Sequence, residues 1–246
     1  MGLRRLSKKI KGLFQKQKVK KSPEFYKLSP KCAIPNLGFL YEKYFGKIRG
    51  GLFVEIGAYD GEYASNTSCL ADLGWKGFYV EPVPEYFQKC ILRHQQNNNT
   101  RVENLAIGAY EGVVKINISG LLSTIDVETK KAFENLDWAK NKITQNYAQI
   151  NQITLDVFLE KHNIPKGFEL LVIDVEGYEW EVLRLFDIKR WFPKMVIIEL
   201  HDQNPDYPHL TQKSNMIVNF FEENNYRVIY KDFSNTVYVH KTISGH

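Results

Sequence analysis

The stretch Leu52–Gly61, LFVEIGAYDG, decides the fold. Five residues, apolar but for Glu55, have the length of a buried strand, and two glycines bracket Ala58, Tyr59 and Asp60 directly after it. Gly57 supplies backbone freedom that a side chain would deny to a tight turn. Glu62–Leu73 is helix-competent, with the helix itself expected across Asn66–Leu73, so the turn is expected to present free N–H groups and Asp60 to a ligand at the helix start. A strand, a glycine turn and a helix in that order read as the cradle of a nucleotide-type cofactor in an α/β domain, although the same pattern also serves as a plain connection.

Outward from this stretch the chain alternates strand and helix patterns, the signature of a mostly parallel sheet covered on both faces. Gly77–Val80 forms a second strand ending at Glu81, and an acid at that tip suits the paired hydroxyls of a ribose. A helix over residues 84–96, a third strand over Val102–Ile107 and a half-exposed strand over Val113–Ile118 follow. The pattern loosens between Gly120 and Asn151, with a helix expected over Thr129–Tyr147 in an insertion able to line a substrate pocket or make an oligomer contact. Thr154–His162 reads as a short helix.

The second informative stretch is Leu170–Leu183, LLVIDVEGYEWEVL. A four-residue apolar strand delivers Asp174 and Glu176, which share a face if the chain stays extended, and Tyr178–Phe186 continues as an amphipathic helix. Adjacent carboxylates at a strand end are costly unless paired, metal-bound or hydrogen-bonded, which marks a working site. Met195–Leu200 is the next strand, carrying Glu199 and leading into His201. A helix over Met216–Glu223 and strands over Tyr226–Tyr230 and Thr236–His240 close the chain with an antiparallel hairpin.

Of 246 residues, 43% are hydrophobic and 25% charged, which fits one globular domain with an appendage. The net charge of +5 is unevenly spread, because residues 1–21 hold nine Lys or Arg and no acid, leaving −4 on the rest. Leu3, Leu6, Ile10, Leu13 and Phe14 recur on one helical face of that tail, so an amphipathic helix on an anionic membrane surface is one reading. A solvated tail is the other, and nucleic-acid contact is disfavoured against both. Residues 22–50 read as a proline-broken linker with one helix over Leu37–Phe45, and residues 51–246 as the domain proper. Cys32, Cys69 and Cys90 lack metal-ligand spacing, which predicts free thiols in a reducing compartment, the cytoplasm, with the membrane's inner face as the peripheral variant.

The segments GGLFVEIGAYDGEYASNT, the Glu81-Pro82 tip, NLAIG at 104–108 and LLVIDVEGYEWEVL resemble the FkbM-type methyltransferase family. The resemblance implies a class I methyltransferase (Rossmann-like) fold, with a seven-stranded mostly parallel sheet, one antiparallel strand in a C-terminal hairpin and helices on both faces. It implies S-adenosylmethionine as cofactor and a hydroxyl on a sugar, glycan, lipid or natural product as acceptor. By position, Glu55, Gly57 and Gly61 would surround the methionine end, Glu81 the ribose, and Ala106 with Ile107 the adenine, with Tyr59, Asp60 and Asn66 completing the cofactor set. Asp174 and Glu176 would face the transferred methyl or the acceptor, with Asp174 also able to orient the cofactor's amino group. Tyr59 stands where the broad methyltransferase pattern has its central glycine. Asp174, Glu176 and His201 are the candidate bases, and Asp174, Glu176 and Glu199 a candidate magnesium site. A nicotinamide-dependent oxidoreductase and a noncatalytic adaptor of the same fold are the alternatives. The oxidoreductase would carry Gly-x-Gly-x-x-Gly in the first turn.

Overall fold

The computed structural model describes residues 25–202, 204 and 207–245. The basic tail, with its membrane reading, lies outside the described residues. Helix α1 (Leu37–Phe45) precedes β1 (Leu52–Ile56), and α2 (Ser68–Asp72), β2 (Lys76–Val80), α3 (Pro84–His94) and β3 (Thr100–Glu103) follow. The strands β4 (Ala106–Ile107), β5 (Gly112–Asn117) and β6 (Tyr147–Ile153) enclose α4 (Val127–Asn135). Then come α5 (Leu155–Lys161), β7 (Leu170–Ile173), α6 (Glu179–Leu183), α7 (Ile188–Trp191), β8 (Met195–Glu199), α8 (Thr211–Glu223), β9 (Tyr226–Lys231) and β10 (Asn235–His240).

Seven strands make one sheet in the order β3-β2-β1-β7-β8-β10-β9, and β4-β6-β5 form a smaller second sheet. All pairings from β3 to β8 are parallel, whereas β10 runs antiparallel to both of its neighbours. This is the seven-stranded arrangement with a reversed strand in the C-terminal hairpin that the sequence predicts. Strands β1 and β7 are buried along their whole length, as expected of central parallel strands covered on both faces. Val54, Ile56, Leu171, Ile173, Val196 and Ile198 pack on one face with Phe158, Val182 and Phe221 from the helices. Phe53, Tyr79, Val172 and Ile197 pack on the other with Leu37, Tyr41 and Leu70.

Several elements differ from the sequence reading. The expected strand Val102–Ile107 is two strands in different sheets, because the Asn104 amide donates to the carbonyls of Glu81 and Pro82 and turns the chain between them. The helix expected to reach Tyr147 ends at Asn135, and Tyr147–Ile153 is instead a strand pairing with β5. The helix expected over Asn66–Leu73 forms as Ser68–Asp72, but a loop with Ala64 in a left-handed backbone at φ 58° separates it from the first turn. Residues 25–45 are more than a linker, because Tyr26, Ile34, Leu37 and Tyr41 are fully buried in the second core. Cys32, Cys69 and Cys90 are free thiols, and among the described residues no helix is long and apolar enough to cross a membrane.

Candidate active site

Register explains why distant acids meet. Ile56 pairs with Val80 and Ile173, and Ile173 pairs with Ile198, so these four residues form one row across the sheet. The residue following each is Gly57, Glu81, Asp174 or Glu199, and all four line one cavity of about 290 Å³ at the carboxyl edge. Open parallel sheets bind ligands at this edge, and the volume is that of a small-molecule site. Glu55, Tyr59, Ala106, Ile107 and Glu176 share the same wall.

The turn after β1 is held tightly. The N–H groups of Gly57 and Ala58 both donate to the Val80 carbonyl, at 2.9 and 3.1 Å, and Gly57 has φ 86°. A Cβ there would fall 1.7 Å from the Asp174 carbonyl oxygen, so the close approach of β1 and β7 requires glycine. Tyr59, also left-handed at φ 49°, donates its N–H to Glu81 Oε2 at 2.8 Å, while Val83 N–H donates to Glu81 Oε1 at 2.7 Å. Each carboxylate oxygen of Glu81 keeps a lone pair for a further donor, which suits the two hydroxyls of a ribose. Burial pushes the Glu81 carboxyl up to about 8 against these two donors.

Three residues of the expected cofactor set stand elsewhere. Asp60 Oδ1 accepts from the N–H groups of Glu62 and Tyr63, so it closes the loop and does not line the cavity. Gly61 gives its carbonyl to His94 Nε2 at 3.0 Å, on the far side of the turn. Asn66 is buried beneath the loop, its carbonyl accepting from the Tyr41 hydroxyl at 2.6 Å. The cause is shared. The loop before α2 displaces the helix start, and with it the residues expected there. Glu55 lines the cavity, yet its Oε2 accepts from the Ser65 and Thr67 hydroxyls at 3.0 and 2.5 Å, so it anchors that loop from below. Burial raises its carboxyl to about 7, with those hydroxyls opposing.

Beyond β7 the chain does not stay extended. Glu176 is left-handed at φ 52°, and this turn, not a shared strand face, brings it beside Asp174 and Glu199. One carboxylate oxygen from each lies within 4.8 Å of the others. Thr124 Oγ1 donates to the Glu176 carbonyl at 2.7 Å, tying the insertion to the acid turn. Glu179 Oε1 accepts from the N–H groups of Val175 and Gly177, fixing the turn from the head of α6. Sequence reasoning missed Glu179; its signal is an acid at a helix start. It also missed Tyr63 and Tyr178, which line the cavity from loops, Tyr86 from α3 and Asn235 from the start of β10.

Burial, followed by the neighbouring Glu199 charge, holds the Asp174 and Glu176 carboxyls well above the usual carboxylate range. Glu199 is pushed to about 8, by burial and then by Glu179. His201 is not on the cavity wall. Its Nε2 is 3.3 Å from Glu199 Oε1, its ring stacks on Tyr207 at 4.0 Å, and burial lowers its pKa against the neighbouring acids. Because these carboxyls hold protons more tightly folded than unfolded, the folded chain binds more protons from about pH 4.5 to 8. Stability of the ligand-free protein should therefore fall as pH rises through that window. Denaturant unfolding at several pH values checks this, with a shallower decline expected for Glu199→Gln.

The Methyltransferase FkbM domain family matches residues 55–228. The chain belongs to this family. Every edge acid described above falls within the matched span. Among curated proteins, none matches the sequence. Among solved structures, the FkbM methyltransferase of Methylobacillus flagellatus KT superposes with a TM-score of 0.46 at 14% identity, covering 81% of this chain and 47% of that one. WbdD gives 0.48 at 15% identity, covering 84% and 41%. Aeropyrum pernix fibrillarin, which carries natively bound S-adenosyl-L-methionine, gives 0.43 at 10% identity, covering 77% and 66%. The chain thus spans under half the length of the FkbM and WbdD proteins. Membership of a methyltransferase family supports S-adenosylmethionine as the cofactor, and the Glu81 carboxylate at the tip of β2 fits its ribose.

Proposed function

We propose that this FkbM-family protein transfers a methyl group from S-adenosylmethionine to a hydroxyl of a sugar, glycan, lipid or related natural product. The observation that carries this reading is the row Gly57, Glu81, Asp174 and Glu199 opening on one cavity. The cofactor supplies a methyl carbon on a sulfonium already activated for departure. Glu81 would receive the ribose hydroxyls, and the glycine turn would let the backbone approach. The protein's remaining work is to align an acceptor oxygen and take its proton. Asp174 and Glu176 suit the second task, because burial and the neighbouring Glu199 charge raise their pKa and make their carboxylates stronger bases. Gly120, Ser123, Thr124 and Ile125 of the insertion line the cavity together with Tyr178 and would meet the acceptor.

Glu81→Ala should weaken S-adenosylmethionine binding by about 1–3 kcal/mol, roughly 5- to 150-fold, the worth of hydrogen bonds lost at a buried site. Calorimetric titration measures it, and wild-type affinity in the variant would remove the ribose assignment. The reaction itself is tested by incubating the protein with labelled S-adenosylmethionine and fractionated glycans and lipids of the source cell. A fraction that gains the label and one methylene of mass supports the reading; label in none of them counts against it.

Two finer parts belong to the same reading. A magnesium-class cation would sit among Asp174, Glu176 and Glu199. Residues 1–21 would hold the protein at an anionic membrane, where each Lys or Arg adds about 1 kcal/mol of attraction. Co-sedimentation with anionic vesicles should favour the full chain over one beginning at Ser22; equal pelleting would end the membrane part.

A further inference from the structure

We infer that the N-terminal edge of the sheet, at the heads of β1, β2 and β3, is a docking face of the folded domain for an anionic bilayer, so that the cavity at the opposite edge opens away from the membrane. The acceptor is then a water-borne molecule or a glycan standing clear of the bilayer, not a hydroxyl in the plane of the lipid headgroups. The docking half extends the membrane reading of residues 1–21 to the domain itself, and the acceptor half rests on the methyltransferase reading.

The two ends of the strands carry different chemistry. Parallel pairing sets Leu52 beside Lys76 and Gly77 beside Thr100, so the three strand heads share one edge. Arg49, Lys76 and Arg101 are exposed there, whereas the nearby acids already hold cations of their own: Glu42 pairs with Lys47 at 3.4 Å, Asp72 with Arg93 at 2.9 Å and Glu169 with Lys194 at 2.7 Å. Among the described residues no acid pairs with Arg49, Lys76 or Arg101. Lys76 and Arg101 line an open cleft of about 340 Å³, in which the Asn99 amide donates to the Gly74 carbonyl at 2.9 Å. A headgroup phosphate entering it would meet both cations. The buried His162 ring registers the same charges, since burial lowers its pKa, Glu103 opposes, and Lys161, Arg101 and Lys76 lower it further. The far end of the edge carries exposed Glu222 and Glu223, which confines the basic face to the side of β1, β2 and β3. By contrast the cavity wall holds Glu55, Glu81, Asp174, Glu176 and Glu199 and neither Lys nor Arg.

The second observation is where the basic tail joins. The Arg49 guanidinium sits 5.4 Å over the ring of Phe25, where the described chain begins. The Tyr26 hydroxyl donates to the Gly46 carbonyl at 2.6 Å, and the Trp75 indole N–H to the Ile48 carbonyl at 3.1 Å, which fastens this entry to the basic edge. At most about 14 Å of extended chain separates Lys21 from Phe25. The nine Lys and Arg of residues 1–21 therefore attach beside Arg49 and Lys76, and one surface can take both sets. Ile48, 37% exposed among these cations, offers an apolar side chain to the headgroup layer.

Each cation facing an anionic leaflet multiplies affinity by about fivefold, and the attraction fades within a Debye length of roughly 8–10 Å. The five residues of β1 span about 16 Å. The cavity edge thus lies beyond the surface field when the basic edge is in contact.

The test is co-sedimentation of the intact chain with vesicles of equal parts phosphatidylcholine and phosphatidylglycerol, beside vesicles of phosphatidylcholine alone, with total RNA in a gel shift as the competing anion. Pelleting with the anionic vesicles only is expected. Joint replacement Lys76→Gln and Arg101→Gln should weaken it about 20-fold, and Arg49→Gln alone about fivefold. The joint replacement Lys115→Gln and Lys142→Gln, the same charge change on the insertion, should leave it within about twofold. Circular dichroism verifies folding. Hydrogen exchange on the vesicles should show protection at 47–50, 74–76 and 97–101 and none at 120–125 on the cavity rim. Wild-type pelleting in both the joint Lys76 and Arg101 variant and Arg49→Gln, protection of the cavity rim, or RNA binding without vesicle binding overturns the docking face. If pelleting then still depends on residues 1–21, the tail reading stands without it. S-adenosylmethionine should bind equally with and without vesicles. Its failure to bind in either condition would end the methyltransferase reading and leave the docking face standing, whereas methyl label confined to lipids that carry no glycan would overturn the acceptor half alone.

Discussion

Asp174→Asn is expected to cut turnover about 100-fold or more while leaving S-adenosylmethionine affinity within about threefold of wild type, the usual range for removing a general base. The expectation follows from position. Asp174 is the residue after β7, its N–H donates to the Ile56 carbonyl at 3.0 Å, and its side chain stands with Glu176 and Glu199. Asparagine keeps the size and the backbone bond but cannot accept a proton. Single-turnover kinetics beside calorimetry separates the effects. A parallel loss of affinity and turnover would instead make Asp174 a cofactor contact, and unchanged turnover would pass the role of base to Glu176.

Gly57→Ala should destabilise the protein by roughly 3–5 kcal/mol, combining a left-handed backbone at a β-carbon with overpacking. At φ 86° the new methyl would lie 1.7 Å from the Asp174 carbonyl oxygen, which is backbone and cannot swing aside. For a chain of this size that is a fall on the order of 10 °C in Tm. Thermal unfolding checks it. Gly167→Ala is the useful comparison, because at φ 73° it carries the backbone strain but has nothing within 4 Å of the new atom. A drop equal to that of Gly167→Ala would mean that β1 and β7 can separate at no cost.

The parts of this fold that can be read from the chain are those where burial dictates residue type. LFVEI, LLVI and MVIIE are nearly unbroken apolar runs because helices cover both sides of the central strands, and their shared end at the cavity follows from register once they pair in parallel. Tyr147–Ile153 escapes such reading, since YAQINQI carries glutamines and an asparagine and its outward positions face solvent. Nor does local sequence reveal the left-handed backbones of Tyr59, Ala64 and Glu176, which tertiary contacts impose on residues other than glycine. Those conformations redirect Asp60, Gly61 and Asn66 away from the cavity and bring Glu176 into it. The candidate site was therefore legible where an acid ends a central strand, at Glu81, Asp174 and Glu199, and obscure where a loop decides which way a side chain turns.

The central claim is that the acids at the strand tips form a site for a sulfonium nucleoside. Separate calorimetric titrations of S-adenosylmethionine and NAD into the intact chain test it most directly. One saturable site for S-adenosylmethionine, weakened in Glu81→Ala, with no heat from NAD, is the predicted result. Heat from NAD with none from S-adenosylmethionine would contradict it.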